Sequence, residues 1–155
     1  MTIWLIEDDP LMGILIREAL KSAFPEVEIE LIKTELGFQR KLSSIWDTAN
    51  SVVILDVMLP WTTIEWDVAE GSTVEPPPKG YDETGGLYRA GIRCLGALRQ
   101  DENGKEIPVI IYTVLTQGDV ESDLRELPAH TQYLSKRESP AILIRRIKEL
   151  TRKSP

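Results

Sequence analysis

The chain has 155 residues and a mass of 17.5 kDa, with 42% hydrophobic and 28% charged residues, a balance that supports a packed core and excludes wholesale disorder. Its 18 Lys and Arg against 25 Asp and Glu leave a net charge of −7, which argues against nucleic-acid binding through a basic surface. One cysteine (Cys94) and one histidine (His130) exclude a disulfide scaffold, a zinc enzyme and a His-based triad.

The N-terminal MTIWLIEDD has neither the basic region nor the cleavage site of a signal peptide. No apolar run reaches the roughly 18 residues of a membrane span, so the expected compartment is the cytoplasm, away from membranes. Ile3–Ile6 reads as a first strand. Asp9 then Pro10 is a helix N-cap followed by the favoured first-turn proline, and opens a helix to about Phe24. Val27–Ile32 is a second strand. Phe38, Leu42, Ile45 and Trp46 share one helical face. Val52–Leu55 is a third strand.

Residues 61–84 then carry Glu65, Asp67, Glu70, Glu75, Asp82 and Glu83 against the single base Lys79, a net −5, together with Pro76-Pro77-Pro78 and Gly80. This acidic, proline-rich stretch reads as an insertion within one 155-residue domain, and a loop of that length is uncommon in a compact fold. Leu87, Ala90, Gly91, Cys94, Leu95 and Leu98 restore a helical stripe, with Cys94 as a small core hydrophobe. Val109–Tyr112 is a fourth strand. Val120, Leu124 and Leu127 mark a helix that Pro128 ends, and His130 falls in a loop. Tyr133-Leu134 is a weaker fifth strand, and Ser139-Pro140 opens the last helix, whose basic end complements its dipole. Three of the strands are continuous apolar runs, the pattern of strands buried on both faces. Five βα units predict an α/β fold, a doubly wound five-stranded parallel sheet with helices on both faces.

In such a sheet the ligand site lies beyond the carboxyl ends of the strands. There stand Glu7, Asp8 and Asp9 after the first strand, Asp56 after the third, Thr113 at the end of the fourth and Lys136 after the fifth. Carboxylates brought together repel unless a cation sits among them, and hard oxygen ligands favour Mg²⁺. Mg²⁺ needs few protein carboxylates, which leaves one free as a nucleophile. A lysine and a hydroxyl alongside can hold phosphoryl oxygens.

The four segments IEDDP (6–10), VVILDVMLP (52–60), VIIYT (109–113) and YLSK (133–136), in that order at strand ends, resemble the receiver domain of bacterial two-component response regulators. The resemblance covers the chain apart from the insertion. It implies a flavodoxin-like strand order of 2-1-3-4-5 and a phosphorylation-dependent switch rather than an enzyme. Asp56 would accept a phosphoryl group from a histidine kinase or phosphotransfer protein. Asp8, Asp9, Asp56 and the Met58 main-chain carbonyl would hold Mg²⁺, and Lys136 and Thr113 would bind the phosphoryl group. Thr113 and Tyr133 would form the switch pair, read out on the surface of the fourth helix, fifth strand and fifth helix, which could also support a homodimer and contact a downstream protein. Glu7 is left outside the metal site as a neighbour of the acidic pair.

Three features depart from that pattern. Arg137 stands where receivers usually have a proline in a cis peptide; a cis bond without proline costs about 3 kcal/mol. Val114 stands where a small residue is common and would narrow access to Asp56. The insertion replaces a short loop; with Trp61 and Trp66 at its start, it is expected to fold back over the next helix and pack on Tyr88 and Ile92. A haloacid-dehalogenase-type phosphatase would need an acid at Met58, a flavodoxin would not place Glu7-Asp8-Asp9 against a phosphate, and no P-loop is present. The remaining alternative is a receiver-like interaction module that signals without phosphorylation.

Overall fold

The computed structural model describes residues 1–62, 75–126 and 130–151. Its elements are β1 (Thr2–Ile6), α1 (Pro10–Ala23), β2 (Glu28–Ile32), α2 (Glu35–Asp47), β3 (Ser51–Leu55), a 3₁₀ turn (Gly86–Arg89), α3 (Ala90–Leu98), α4 (Glu102–Glu106), β4 (Val109–Thr113), α5 (Gln117–Glu126), β5 (Thr131–Ser135) and α6 (Pro140–Thr151). The five strands form one parallel sheet in the order β2-β1-β3-β4-β5. The expected topology is therefore present. The helix containing Val120 and the last helix are α5 and α6, because α4 intervenes. α4 was not expected: it has five residues and contains Gly104, a poor helix former. Tertiary contact supports it, since Gly104 packs on the Leu98 carbonyl that also accepts the Trp46 indole N–H at 3.0 Å.

Strand side chains alternate between two core layers. Trp4, Ile6, Val53, Leu55, Val109 and Ile111 pack with Phe38, Ile45, Cys94, Leu95 and Leu98. Ile3, Leu5, Val52, Ile54, Ile110 and Tyr112 pack on the other face with Ile16, Leu20, Leu143 and Ile147. β1, β3 and β4 are buried along their whole length, which accounts for their continuous apolar sequences. No described helix is long and apolar enough to cross a membrane.

The strand register aligns the carboxyl ends. Ile6 pairs with both Ile32 and Leu55, Leu55 with Ile111, and Thr113 with Ser135. The residue after each strand continues the backbone bonding: Glu7 N–H donates to Ile32 O at 2.9 Å, Asp56 N–H to Ile6 O at 3.0 Å and Lys136 N–H to Thr113 O at 2.9 Å. Glu7, Asp56, Thr113 and Lys136 thus emerge along one edge. His130 precedes β5 at the opposite edge, where its carbonyl accepts from Val109 N–H at 2.8 Å.

The later part of the insertion packs against the following helix, α3, as expected, but through Arg93 rather than Tyr88. The Trp61 indole is buried and donates to the Glu75 carbonyl at 3.0 Å, with its ring edge-on to Tyr81 at 6.0 Å. The Arg93 guanidinium lies 4.6 Å over the Tyr81 ring and bonds the Glu35 carboxylate through two nitrogens, at 2.8 and 2.7 Å. The anchor is therefore the start of α2 together with Arg93, while Tyr88 remains 65% exposed. A buried acid and a cation–π contact hold the segment more specifically than an exposed tyrosine could. Trp66 lies outside the described residues.

Candidate phosphoacceptor site

Asp56 directly follows β3 and is 4% exposed. Its Oδ1 accepts from the N–H groups of Val57 at 2.6 Å and Met58 at 3.3 Å, so its own loop orients the carboxylate. Oδ2 meets the Lys136 ammonium. The same ammonium lies 2.6 Å from Glu7 Oε2, with both side chains almost fully enclosed. Glu7 Oε1 accepts from Asp9 N–H at 3.1 Å.

Carboxylate oxygens of Glu7, Asp8 and Asp56 lie within 4.8 Å of one another, with Asp8 exposed at the mouth. Asp9 turns away from this group. Its Oδ1 accepts from Leu11 N–H and Met12 N–H, both at 2.9 Å, and caps α1. The third carboxylate in the pocket is thus Glu7 rather than Asp9, a correction to the sequence expectation with a plain cause. The α1 cap engages Oδ1 of Asp9 and holds its carboxylate at the helix start, and Glu7, first beyond a buried strand, points inward. The cap itself was legible; the sequence signal for Glu7 was that Asp9 could not serve both ends.

Charge in the pocket is unbalanced, with three carboxylates facing one ammonium. Burial raises the Glu7 carboxyl above its ordinary value although Lys136 pulls it down. Asp8, at the surface but partly desolvated by the pocket wall, is also raised, and the nearby Asp56 charge adds to the rise. Burial opposes the charge on Lys136, but Asp56 and Glu7 together hold its ammonium above the usual lysine range. An all-oxygen donor set with excess negative charge suits a hard divalent cation. Glu7, Asp8 and Asp56 are the side chains able to hold one.

Thr113 is fully buried at the end of β4, and its hydroxyl accepts from Leu115 N–H at 3.4 Å. The half-buried Tyr133 ring packs against the core, and its hydroxyl donates to the Leu115 carbonyl at 2.7 Å. One loop therefore touches both residues. Val114 is exposed beside them. All peptide bonds among the described residues are trans, and Lys136 reaches both carboxylates with Arg137 following it. Met58, two residues after Asp56 in the same loop, is half-buried.

No protein-family model and no curated protein matches the chain. Solved structures do. The receiver domain of a sensor histidine kinase from Pseudomonas aeruginosa, with a magnesium ion coordinated in its active-site cleft, aligns at 18% identity over 98% of each chain, with a TM-score of 0.67. The signal receiver domain of a DNA-binding response regulator from Colwellia psychrerythraea aligns at 19% identity over 99% of each chain, with a TM-score of 0.68. A Mn²⁺-bound response regulator aligns at 21% identity over 96% of this chain and 90% of its own, with a TM-score of 0.62. The likeness lies in the fold, and the chain has the flavodoxin-like fold of receiver domains.

Proposed function

We propose that the chain is a phosphorylation-dependent signalling switch that receives a phosphoryl group on Asp56 from a histidine kinase or phosphotransfer protein. The observation that carries this reading is the buried Lys136 ammonium bridging Asp56 and Glu7, beside Asp8 at the mouth. An Asp56 oxygen would attack phosphorus as the bond to the donor nitrogen breaks, forming an acyl phosphate, while the donor imidazole takes up a proton. Glu7, Asp8, Asp56 and the Met58 carbonyl would hold Mg²⁺, which when bound offsets the charge of the carboxylates and the phosphoryl oxygens. Asp9 serves as a helix cap in this reading. Lys136 would follow the incoming phosphoryl oxygens, and Thr113 would donate to one of them. The metal-bound neighbours support the cofactor assignment.

The segments that follow β1, β3 and β4 carry exposed apolar side chains: Leu11, Ile14 and Leu15 on α1, Leu87 and Tyr88 in the 3₁₀ turn, and Val114 after β4, and we take them to form a rim around the mouth. Such a rim suits a protein phosphodonor better than a small free substrate. The face of α5, β5 and α6 would carry the signal onward to a downstream protein or a second copy.

Mass spectrometry after incubation with a small phosphodonor tests the assignment. Wild type should gain one phosphoryl group only with Mg²⁺, and Asp56→Asn none, because an amide is a poor nucleophile. Modification of Asp56→Asn at the wild-type level would refute it, and no modification of wild type would favour an interaction module that works without phosphorylation.

A further inference from the structure

We propose that the turn Gly86–Gly91 positions the phosphoacceptor loop Asp56–Leu59 and ties it to α5, with Gly91 and Arg89 as the positioning residues. The proposal rests on the reading of Asp56 given above. Two backbone bonds join turn and loop: Gly91 N–H donates to Val57 O at 2.9 Å, and Leu59 N–H donates to Leu87 O at 3.1 Å. They bracket Met58, whose N–H, with that of Val57, also orients Asp56 Oδ1. A shift of the turn therefore moves the carboxylate and the Met58 carbonyl together.

The approach depends on Gly91 having no side chain. A Cβ there would overlap the Asp56 carbonyl oxygen and stand 2.7 Å from Val57 Cα. Both obstacles are backbone, so neither can rotate aside.

The turn is seated from two sides. On the insertion side Arg93 donates to the carbonyls of Thr84 at 2.9 Å and Gly86 at 2.6 Å. On the other side Arg89 Nη1 lies 3.0 Å from Asp123 Oδ2 on α5. Both atoms are shut off from water and have no hydrogen-bond partner among the described residues, so this ion pair is the polar partner each one has. Arg89 thus connects the loop that carries Asp56 to α5 by a route separate from Thr113 and Tyr133. A misplaced supporting shell weakens a metal or phosphoryl site without touching its ligands.

Amide hydrogen exchange at Val57–Leu59 and Mg²⁺ titration test the proposal, using Gly91→Ala, Arg89→Gln and a matched control. Gly104→Ala is that control: its Cβ would overlap the Leu98 carbonyl and stand 2.7 Å from Trp46 Nε1, at the far end of α3. Gly91→Ala should speed exchange of the Leu59 amide and weaken Mg²⁺ binding about tenfold, and Arg89→Gln should do the same about threefold. Gly104→Ala should lower the melting temperature yet change both readouts less than about twofold. Restoration by the charge swap Arg89→Asp with Asp123→Arg would support the route to α5. Unchanged exchange and affinity in Gly91→Ala and Arg89→Gln, or equal effects in Gly104→Ala, would overturn the proposal. Should Gly91→Ala not fold, Arg89→Gln decides by the same criteria. If wild type binds no Mg²⁺, the phosphoacceptor reading fails, and the exchange rates alone decide this one.

Discussion

Lys136 sets the charge balance of the pocket, because its one ammonium faces the buried carboxylates of Glu7 and Asp56. Its pKa is raised, so the pairing stabilises the fold fully below the ordinary lysine value and fades as pH climbs through the folded one. Glu7 and Asp8 act in the same direction but at lower pH. Raised from 4.5 and 3.8, they hold protons more tightly folded than unfolded, so their contribution to stability declines as pH rises through that window. Cation and proton compete for the same oxygens. Mg²⁺ affinity should therefore weaken on acidification sooner than ordinary carboxylates would dictate; calorimetric titration at about pH 5 and about pH 7.5 checks it, and equal affinities would count against the assignment. The division of labour between neighbours is equally testable. Glu7→Gln should weaken Mg²⁺ binding about tenfold, whereas Asp9→Ala should cost about 1 kcal/mol of stability through the lost α1 cap and leave Mg²⁺ affinity within about twofold. A metal defect in Asp9→Ala matching that of Glu7→Gln would reverse the two roles.

Among the elements, the insertion shows how a polar, proline-rich segment gains a fixed seat. Trp61 supplies a buried ring, Tyr81 stacks its edge against it, and Arg93 joins Tyr81 to Glu35. Glu35 is almost fully enclosed while Arg93 is partly exposed, so the loss on Glu35→Ala should fall below the 3–5 kcal/mol of a fully buried pair, on the order of 2 kcal/mol. Chemical denaturation measures it, and a change near zero would show that water replaces the carboxylate. The insertion brings no described carboxylate into the acidic cluster. Replacing residues 62–84 by a short Gly-containing turn should accordingly preserve Mg²⁺ binding and small-donor phosphorylation while altering rates with a protein phosphodonor. Loss of Mg²⁺ binding in a folded replacement would show that the insertion supports the site, by its own groups or through the Thr84 contact to Arg93. Its charge and punctuation were legible in the sequence. Its anchoring contact was not, because Tyr88 and Tyr81 look alike until Arg93 and Glu35, 58 positions apart, are brought together.

At the scale of the whole molecule, the sheet links the pocket to a distant face. Thr113 ends β4 inside the pocket edge, and Leu115 just beyond it receives the Tyr133 hydroxyl from β5. A hydroxyl that moves to the phosphoryl group would shift this loop and the ring it holds, a change between two packings rather than a gradual bend. Thr113→Ala should still be phosphorylated but should show smaller amide-shift changes across α5, β5 and α6 than wild type. Equal changes in both proteins would exclude Thr113 from the coupling.

The sequence by itself determined the parallel sheet and the placement of Asp56, Thr113 and Lys136 at strand ends, because both follow from short apolar runs and the breaks that end them, which are local properties. Only the tertiary structure decided which acid turns inward, how α4 survives a glycine, and which residues anchor the insertion. Each of these depends on contacts between segments far apart in the chain: Lys136 with Glu7, Gly104 with Leu98 and Trp46, and Arg93 with Glu35. Burial, not periodicity, selected Glu7, since an acid beside a buried ammonium gains a partner that an acid at a helix cap already has.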